Sequence, residues 1–465
     1  MYQYLLRISL LLIVSLSCAC SKLISIDPPV DQLVTEEVFA NTASAEATVV
    51  GLYSRMVYPN NGNRILDGSL SLYGSLSADE LEEPVSTSIY QPFQDNIIPI
   101  TDGQNYTLWT TGYNGVFHAN TILDNLARSG AVPPAIRQQL AAETKFLRAL
   151  HFFYLVNCYG RVPLPVSGNY MANSLLTRSD TAAVYKQLIT DLEEAYAVLG
   201  DATRSGYRIY ASKWVAAALL ARVYLYLGQW EEAIRWSSLV LDSKSFPLSP
   251  LTEVFRPNSS ETLLQFVPAN TVNFNTREGN WFIPATAGQV PLFAFTTQME
   301  NAFEAGDLRL QQWASFMEKD GRRYYYPFKY KVQNAATGSS KTEYLKVLRA
   351  SELFLIRAEA LAQENRLTDA VRDLDSLRKR AGLELLANTR PGIGKTALLE
   401  AVYHERQVEL FTELGHRWFD LKRTGRASTV LSPLKPEWTA DAVLYPIPEG
   451  DRLLNPNLDQ NNGYY

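Results

Sequence analysis

The chain has 465 residues, 46% hydrophobic and 20% charged, with 43 Lys and Arg against 48 Asp and Glu, a formal net charge of −5. That balance excludes a basic nucleic-acid surface, and the apolar content excludes a disordered chain. Length allows about two to four domains; 26 Tyr, 19 Phe and 8 Trp leave an acidic, aromatic-rich binding protein or an enzyme, since Tyr serves wet recognition surfaces as well as cores.

Residues 1–19 read as an export signal: Arg7 supplies the positive region and Ile8–Leu16 the apolar one, too short for a span of about 20 residues. The small residues running into Cys20 resemble a bacterial lipobox, with Cys20 acylated and first in the mature chain. Acyl chains there would give a stable membrane tether; an ordinary signal peptide cut nearby is the alternative. Cys158 is then the remaining thiol, on an apolar helical stretch, where a buried structural role is expected.

Helical periodicity begins near Thr35, a capped start, and a first helix is predicted over Ala43–Met56. Residues 58–108 lack helical period and carry an acidic patch, Asp79–Glu83. Helices resume at 109–128, at Ala135–Tyr159, and after Asp180. Lys213–Leu227 and Gln229–Asp242 form the clearest pair, with Gly228 in the turn. There Ala217, Ala221, Tyr224, Gly228, Ala233 and Val240 fall at tetratricopeptide spacing. Ala358, Leu361, Asn365, Ala370 and Leu377 repeat the last five of these at one constant offset, with Asn365 in place of the turn glycine. Residues 246–345 are irregular, with short strands predicted at Thr262–Val267 and Arg323–Tyr330; one more helix follows at Ala397–Glu413.

The expected fold is therefore mainly α. A tetratricopeptide-like scaffold of helical pairs occupies about 35–57, 109–245 and 346–425, and a loop-rich portion with short strands occupies about 58–108 and 246–345.

Several candidate chemistries fail on spacing. The run 389–396 (TRPGIGKT) has Thr where a phosphate loop needs Gly, and no strand precedes it. His118, His151, His404 and His416 offer no i,i+4 pair, so no metal site is expected. A carboxylate pair for glycoside hydrolysis is spatial and stays open at this level. Glu405, Glu409 and Glu413 share one helix face and would repel alone. Arg406, Arg417 and Arg423 are expected to answer them in a structural ion network with Asp420. Aromatic rings outside helical core patterns are the remaining option. Tyr73, Tyr90, Phe93 and Trp109 in one segment, and Trp281, Trp313 and Tyr324 in the other, are candidate ligand residues together with Asp79. Stacked rings beside carboxylates suit the apolar C–H faces and hydroxyls of sugars, and irregular segments on a rigid frame are where binding loops sit.

Six blocks in order resemble the SusD/RagB family of outer-membrane nutrient-binding lipoproteins: 143–165 (ETKFLRALHFFYLVNCYGRVPLP), 191–199, 211–234, 348–363 with 373–383, 405–425 (ERQVELFTELGHRWFDLKRTG), and 445–464 (YPIPEGDRLLNPNLDQNNGY). One departure is Leu414 before Gly415-His416, where Glu is usual; Glu413 stands one place early. The resemblance implies structural roles for Glu405, Arg406, Arg417 and Asp420. It also implies a non-enzymatic, cofactor-free lid, tethered through Cys20 and facing the cell exterior. Such a lid captures a glycan and delivers it to a SusC-like TonB-dependent transporter in the outer membrane. Peptide capture by the same architecture, a lipoprotein glycoside hydrolase and a purely structural repeat adaptor are the competing expectations.

Overall fold

Helices frame the computed structural model, which describes residues 38–57, 65–85, 89–269, 271–286 and 288–464. The leader, Cys20 and the capped start expected at Thr35 lie outside these residues. Helix α1 (Thr42–Arg55) starts where the Asn41 side chain accepts from the Ser44 amide. Helix α2 (Leu70–Ser77) follows. Then comes α3 (Gly103–Arg128), capped by Asp102 Oδ1 on the Asn105 amide, and α4 (Pro134–Tyr159), whose first residue is a proline that needs no donor there. The scaffold continues with α5 (Thr181–Val198), α6 (Lys213–Tyr226), α7 (Trp230–Leu241), α8 (Ala350–Gln363), α9 (Leu367–Arg380), α10 (Lys395–Leu410) and α11 (His416–Arg423).

Each scaffold helix packs on the next: α3 on α4, α4 on α5, α5 on α6, α6 on α7, and α8 on α9 and α10. The two sequence repeats, separated by about a hundred residues, dock directly through α7 and α8. Ala221, Ala233, Ala358 and Ala370 are fully buried, so small side chains set the close helix approach expected of the repeat. Both turns close the same way. Gly228 sits at φ 66° and Asn365 at φ 60°. The Gln229 and Arg366 amides reach back to the Tyr224 and Leu361 carbonyls at 2.9 and 2.8 Å, as in a Schellman cap. Asn365→Ala is expected to cost about 1 kcal/mol, the penalty of a left-handed backbone. Asn365→Gly should leave the urea midpoint unchanged or slightly raised.

Among the described residues, six short strands pair antiparallel: β1 (Leu81–Glu82) with β3 (Ala294–Phe295), β2 (Thr262–Phe266) with β6 (Leu345–Arg349), and β4 (Ala314–Lys319) with β5 (Arg322–Pro327). The strands expected near Thr262 and Arg323 are present, and β1–β3 joins the two segments read as irregular.

One correction concerns 58–108. It holds α2 and the first turns of α3. Every residue of α2 is buried, and a helix enclosed all round has no polar face to generate a period. A second correction adds α11 after α10, where one C-terminal helix was expected. Cys158 is buried, and burial pushes its thiol up to about 12, in keeping with an inert structural role. Residues 389–396 run from the end of a helical turn into α10 with no strand before them. Among the described residues no helix is long and apolar enough to cross a membrane.

Candidate functional site

The charged cluster of the C-terminal half forms a buried network whose partners differ from those expected. Glu405, Glu409 and Glu413 do lie along one face of α10 and the turn after it. Their cations come from elsewhere: Arg309 Nη1 reaches Glu405 at 2.5 Å, Arg349 reaches Glu409 at 2.5 Å and Glu413 at 2.8 Å, and Arg380 reaches Glu409 at 2.5 Å. Lys329 Nζ adds a 2.5 Å contact to Glu413. Arg406 instead grips Asp420 through two bonds of 2.7 and 3.1 Å, and Arg423 bridges Asp420 and Glu359. Arg417 holds Asp79 through two bonds of 2.7 Å. Arg406, Arg417 and Arg423 therefore brace α11 rather than neutralise the α10 carboxylates. Glu413, the residue standing one place early, joins the network, and Leu414 is buried.

Asp79 thus belongs to the frame. The same correction applies to four of the aromatic candidates, because a ring with no exposed face cannot stack on a ligand. Tyr73 is buried, stacked on Phe93 at 4.3 Å, with its hydroxyl donating to Gln104 Oε1 at 2.8 Å. Trp109 packs edge-on to Tyr159 at 4.9 Å, and its ring is almost wholly enclosed. Trp313 is buried with its indole donating to the Leu251 carbonyl at 2.9 Å. Each is apolar mass in one core that runs from Phe39 to Leu458.

Tyr90, Trp281 and Tyr324 remain partly exposed, and the fold brings their segments together. The β1–β3 pairing sets Leu81 against Phe295 and Glu82 against Ala294. Tyr90 then meets Phe293 at 5.3 Å and Trp281 at 6.5 Å, edge to face. Strand β5, carrying Tyr324, packs beside β3. Two guanidinium groups flank these rings. Arg277 lies 5.4 Å from the Trp281 ring centre and 3.3 Å from Asp67. Arg322 lies 4.6 Å from the Tyr324 ring and 2.9 Å from Glu82. The result is a platform of partly exposed rings, Tyr90 against Trp281 with Tyr324 on the neighbouring strand, with cations held in place by carboxylates. It can stack an apolar ring face and donate hydrogen bonds to oxygens at its edge.

Arg277 and Arg322 were missed in the sequence. Arg277 stands four residues before Trp281, a spacing that puts both on one helix face, and the helix Arg277–Phe282 does so. Arg322 carried no such local signal, since its partner Glu82 is 240 residues away.

Under the platform, burial pushes the carboxyls of Glu80 and Glu278 up to about 7, against hydrogen bonds that favour ionisation. Glu80 accepts from Ser75 at 2.6 Å and from the Thr412 amide at 3.2 Å, and Glu278 accepts from Ser71 at 2.9 Å. A folded chain that keeps a proton the unfolded chain has released loses stability as pH rises. The loss should run from about pH 4.5 to about 7. Glu80→Gln is expected to flatten that decline, read as urea midpoints at about pH 5 and about 7.5. An unchanged pH dependence would place the proton elsewhere.

The frame is shared with known proteins. The profile of a family described as starch-binding and associating with the outer membrane matches residues 40–225, and that of the SusD family matches residues 297–464. SusD-like protein P25 of Formosa agariphila is 25% identical, covering 96% of this chain and 97% of its own. A SusD superfamily protein from Bacteroides vulgatus superposes with a TM-score of 0.81 at 19% identity, over 92% of this chain and 100% of the other. A laminarin-binding SusD-like protein superposes with a TM-score of 0.75 at 24% identity, over 91% and 100%. With an α-helical repeat frame, two interleaved loop segments and matching profiles over both halves, this chain belongs to the SusD family.

Proposed function

We propose that the protein is a cell-surface lipoprotein, acylated at Cys20. On this reading it binds a nutrient glycan on the Tyr90–Trp281–Tyr324 platform and passes it to a SusC-like TonB-dependent transporter. The observation that carries the glycan reading is the meeting of two sequence-distant loop segments at partly exposed rings flanked by braced arginines. Pyranose rings present apolar C–H faces ringed by hydroxyls, which such a surface matches on both counts. The starch-binding description of the family matched over residues 40–225 and the laminarin-binding fold neighbour support carbohydrate over peptide. Anchoring and the transporter partner rest on the lipobox resemblance and on the family. The lid role rests on the family resemblance as well.

Isothermal titration against laminarin and a panel of other glycans tests the binding. Trp281→Ala is expected to weaken binding about ten-fold, the loss of one stacked ring of about 1.4 kcal/mol. Tyr90→Ala should do the same within about two-fold, and both variants should keep the wild-type circular dichroism spectrum. Absence of binding to every glycan would remove carbohydrate from the reading while leaving the family in place.

A further inference from the structure

A cavity of about 510 Å³ opens on a different part of the molecule, against the outer face of α3. Trp109, Tyr113 and Phe117 of α3 form one wall, Tyr170 of the connection from α4 to α5 a second, and Asp451 and Asn455 of the C-terminal segment a third. Its volume is in the range of small-ligand sites. The walls are tied to one another. Tyr113 donates to the Pro163 carbonyl at 2.8 Å, Asn120 to the Pro165 carbonyl at 2.8 Å, and Asn455 to the Leu176 carbonyl at 2.9 Å. The opening is therefore built in advance of any ligand.

Two features of its lining are unspent. Phe117 is 41% and Tyr170 71% exposed, so two large rings keep free faces at the rim. Among the described residues, no ion pair reaches the Asp451 carboxylate in the cavity wall, and its side-chain hydrogen bond comes from the Trp109 indole. Burial pushes the Asp451 carboxyl up, with the Trp109 indole beside it offsetting part of that rise. A carboxylate has about four acceptor sites, so one indole donor leaves it capacity for another. A purely apolar occupant would leave that capacity unused. A ring with an apolar face and hydroxyl donors on its edge would satisfy both features together.

We propose that this cavity is a second carbohydrate site, taking a pyranose ring against Tyr170 and Phe117 with a hydroxyl donated to Asp451. It rests on the reading of the chain as a glycan binder and adds a contact separate from the Tyr90–Trp281 platform. An oligosaccharide held at two points dissociates more slowly than one held at either alone, because release of one end leaves the other bound.

The test is titration of the full chain with laminarihexaose, maltohexaose and xylohexaose, with choline as a cationic control. The proteins are wild type, Trp281→Ala, Tyr170→Ala with Asp451→Asn, and all three changes together. Tyr170 is exposed and Asp451→Asn keeps the side-chain shape, so neither change should alter the fold; circular dichroism checks this. The expected result is residual saccharide binding in Trp281→Ala that falls at least about five-fold further when the cavity pair is added. Crystals of Trp281→Ala soaked in the bound hexasaccharide should show a sugar beside Tyr170. If the cavity pair leaves every isotherm unchanged, the second site is refuted while the platform reading stands. If the cavity pair abolishes binding and Trp281→Ala does not weaken it, the cavity is the site and the platform reading fails. Binding by none of the hexasaccharides, or Asp451-dependent binding by choline alone, overturns the proposal.

Discussion

Arg349→Ala is expected to remove about 3–5 kcal/mol of folding free energy, the loss found when one member of a buried ion network is deleted. The guanidinium contacts Glu261 at 3.1 Å, Glu409 at 2.5 Å and Glu413 at 2.8 Å, and all of these side chains are buried. Removing it leaves Arg380 and Arg309 to hold Glu409, and Lys329 alone on Glu413. Burial alone would raise both carboxyls. Instead Arg380, Arg349 and Arg309 hold Glu409 well below its usual range, and Arg349 with Lys329 lowers Glu413.

The sign of the pH dependence follows. Groups depressed in the fold contribute stability that is full above the unfolded carboxyl value, about 4.5, and is lost as pH falls through the folded values. The wild type should resist acid to well below pH 4.5, and the Arg349→Ala transition should move upward in pH. Urea denaturation at neutral pH and an acid titration of circular dichroism measure the two effects. A loss under about 1 kcal/mol would mean that the remaining cations carry the network without Arg349.

Gly74→Ala should destabilise by about 1–3 kcal/mol, as forced overpacking does. A Cβ at Gly74 on α2 would stand 2.7 Å from the Cα of Gly415. The obstacle is backbone, so no rotamer change can clear it. Gly415 has φ +76°, and Thr412 and Leu414 beside it have φ of 51° and 44°, so the turn into α11 is already conformationally confined. It is also pinned, with the Leu414 amide donating to Ser71 Oγ at 3.1 Å. A shift of α2 would move Glu80 and the start of β1, and with them the strand pairing that assembles the platform. Among the described residues, a methyl added at Gly51 in α1 would meet no atom within 4 Å beyond its own helix, so Gly51→Ala should be neutral or slightly stabilising in the same thermal and urea scans.

What could be read directly from the residues was local. The turn at Asn365 was legible because an amide side chain tolerates the left-handed region, and the small residues at 221, 233, 358 and 370 announced close helix approach. The Pro-, Gly- and aromatic-rich run marked the segment that holds β2 and β5. The export signal and the acylation proposed at Cys20 likewise rest on sequence alone.

The tertiary structure decided whatever depended on distant partners or on burial from every side. Helix α2 gave no period because nothing polar faces outward from it. Glu409 showed its like-charged neighbours at i±4, while Arg349 and Arg309 approach from other segments. Tyr73, Phe93, Trp109 and Trp313 resemble Tyr90, Trp281 and Tyr324 in type and local context; only packing separates core from surface rings. A chain carries its turns and caps in a few adjacent residues, but burial and charge compensation are sums over every segment that folding brings near.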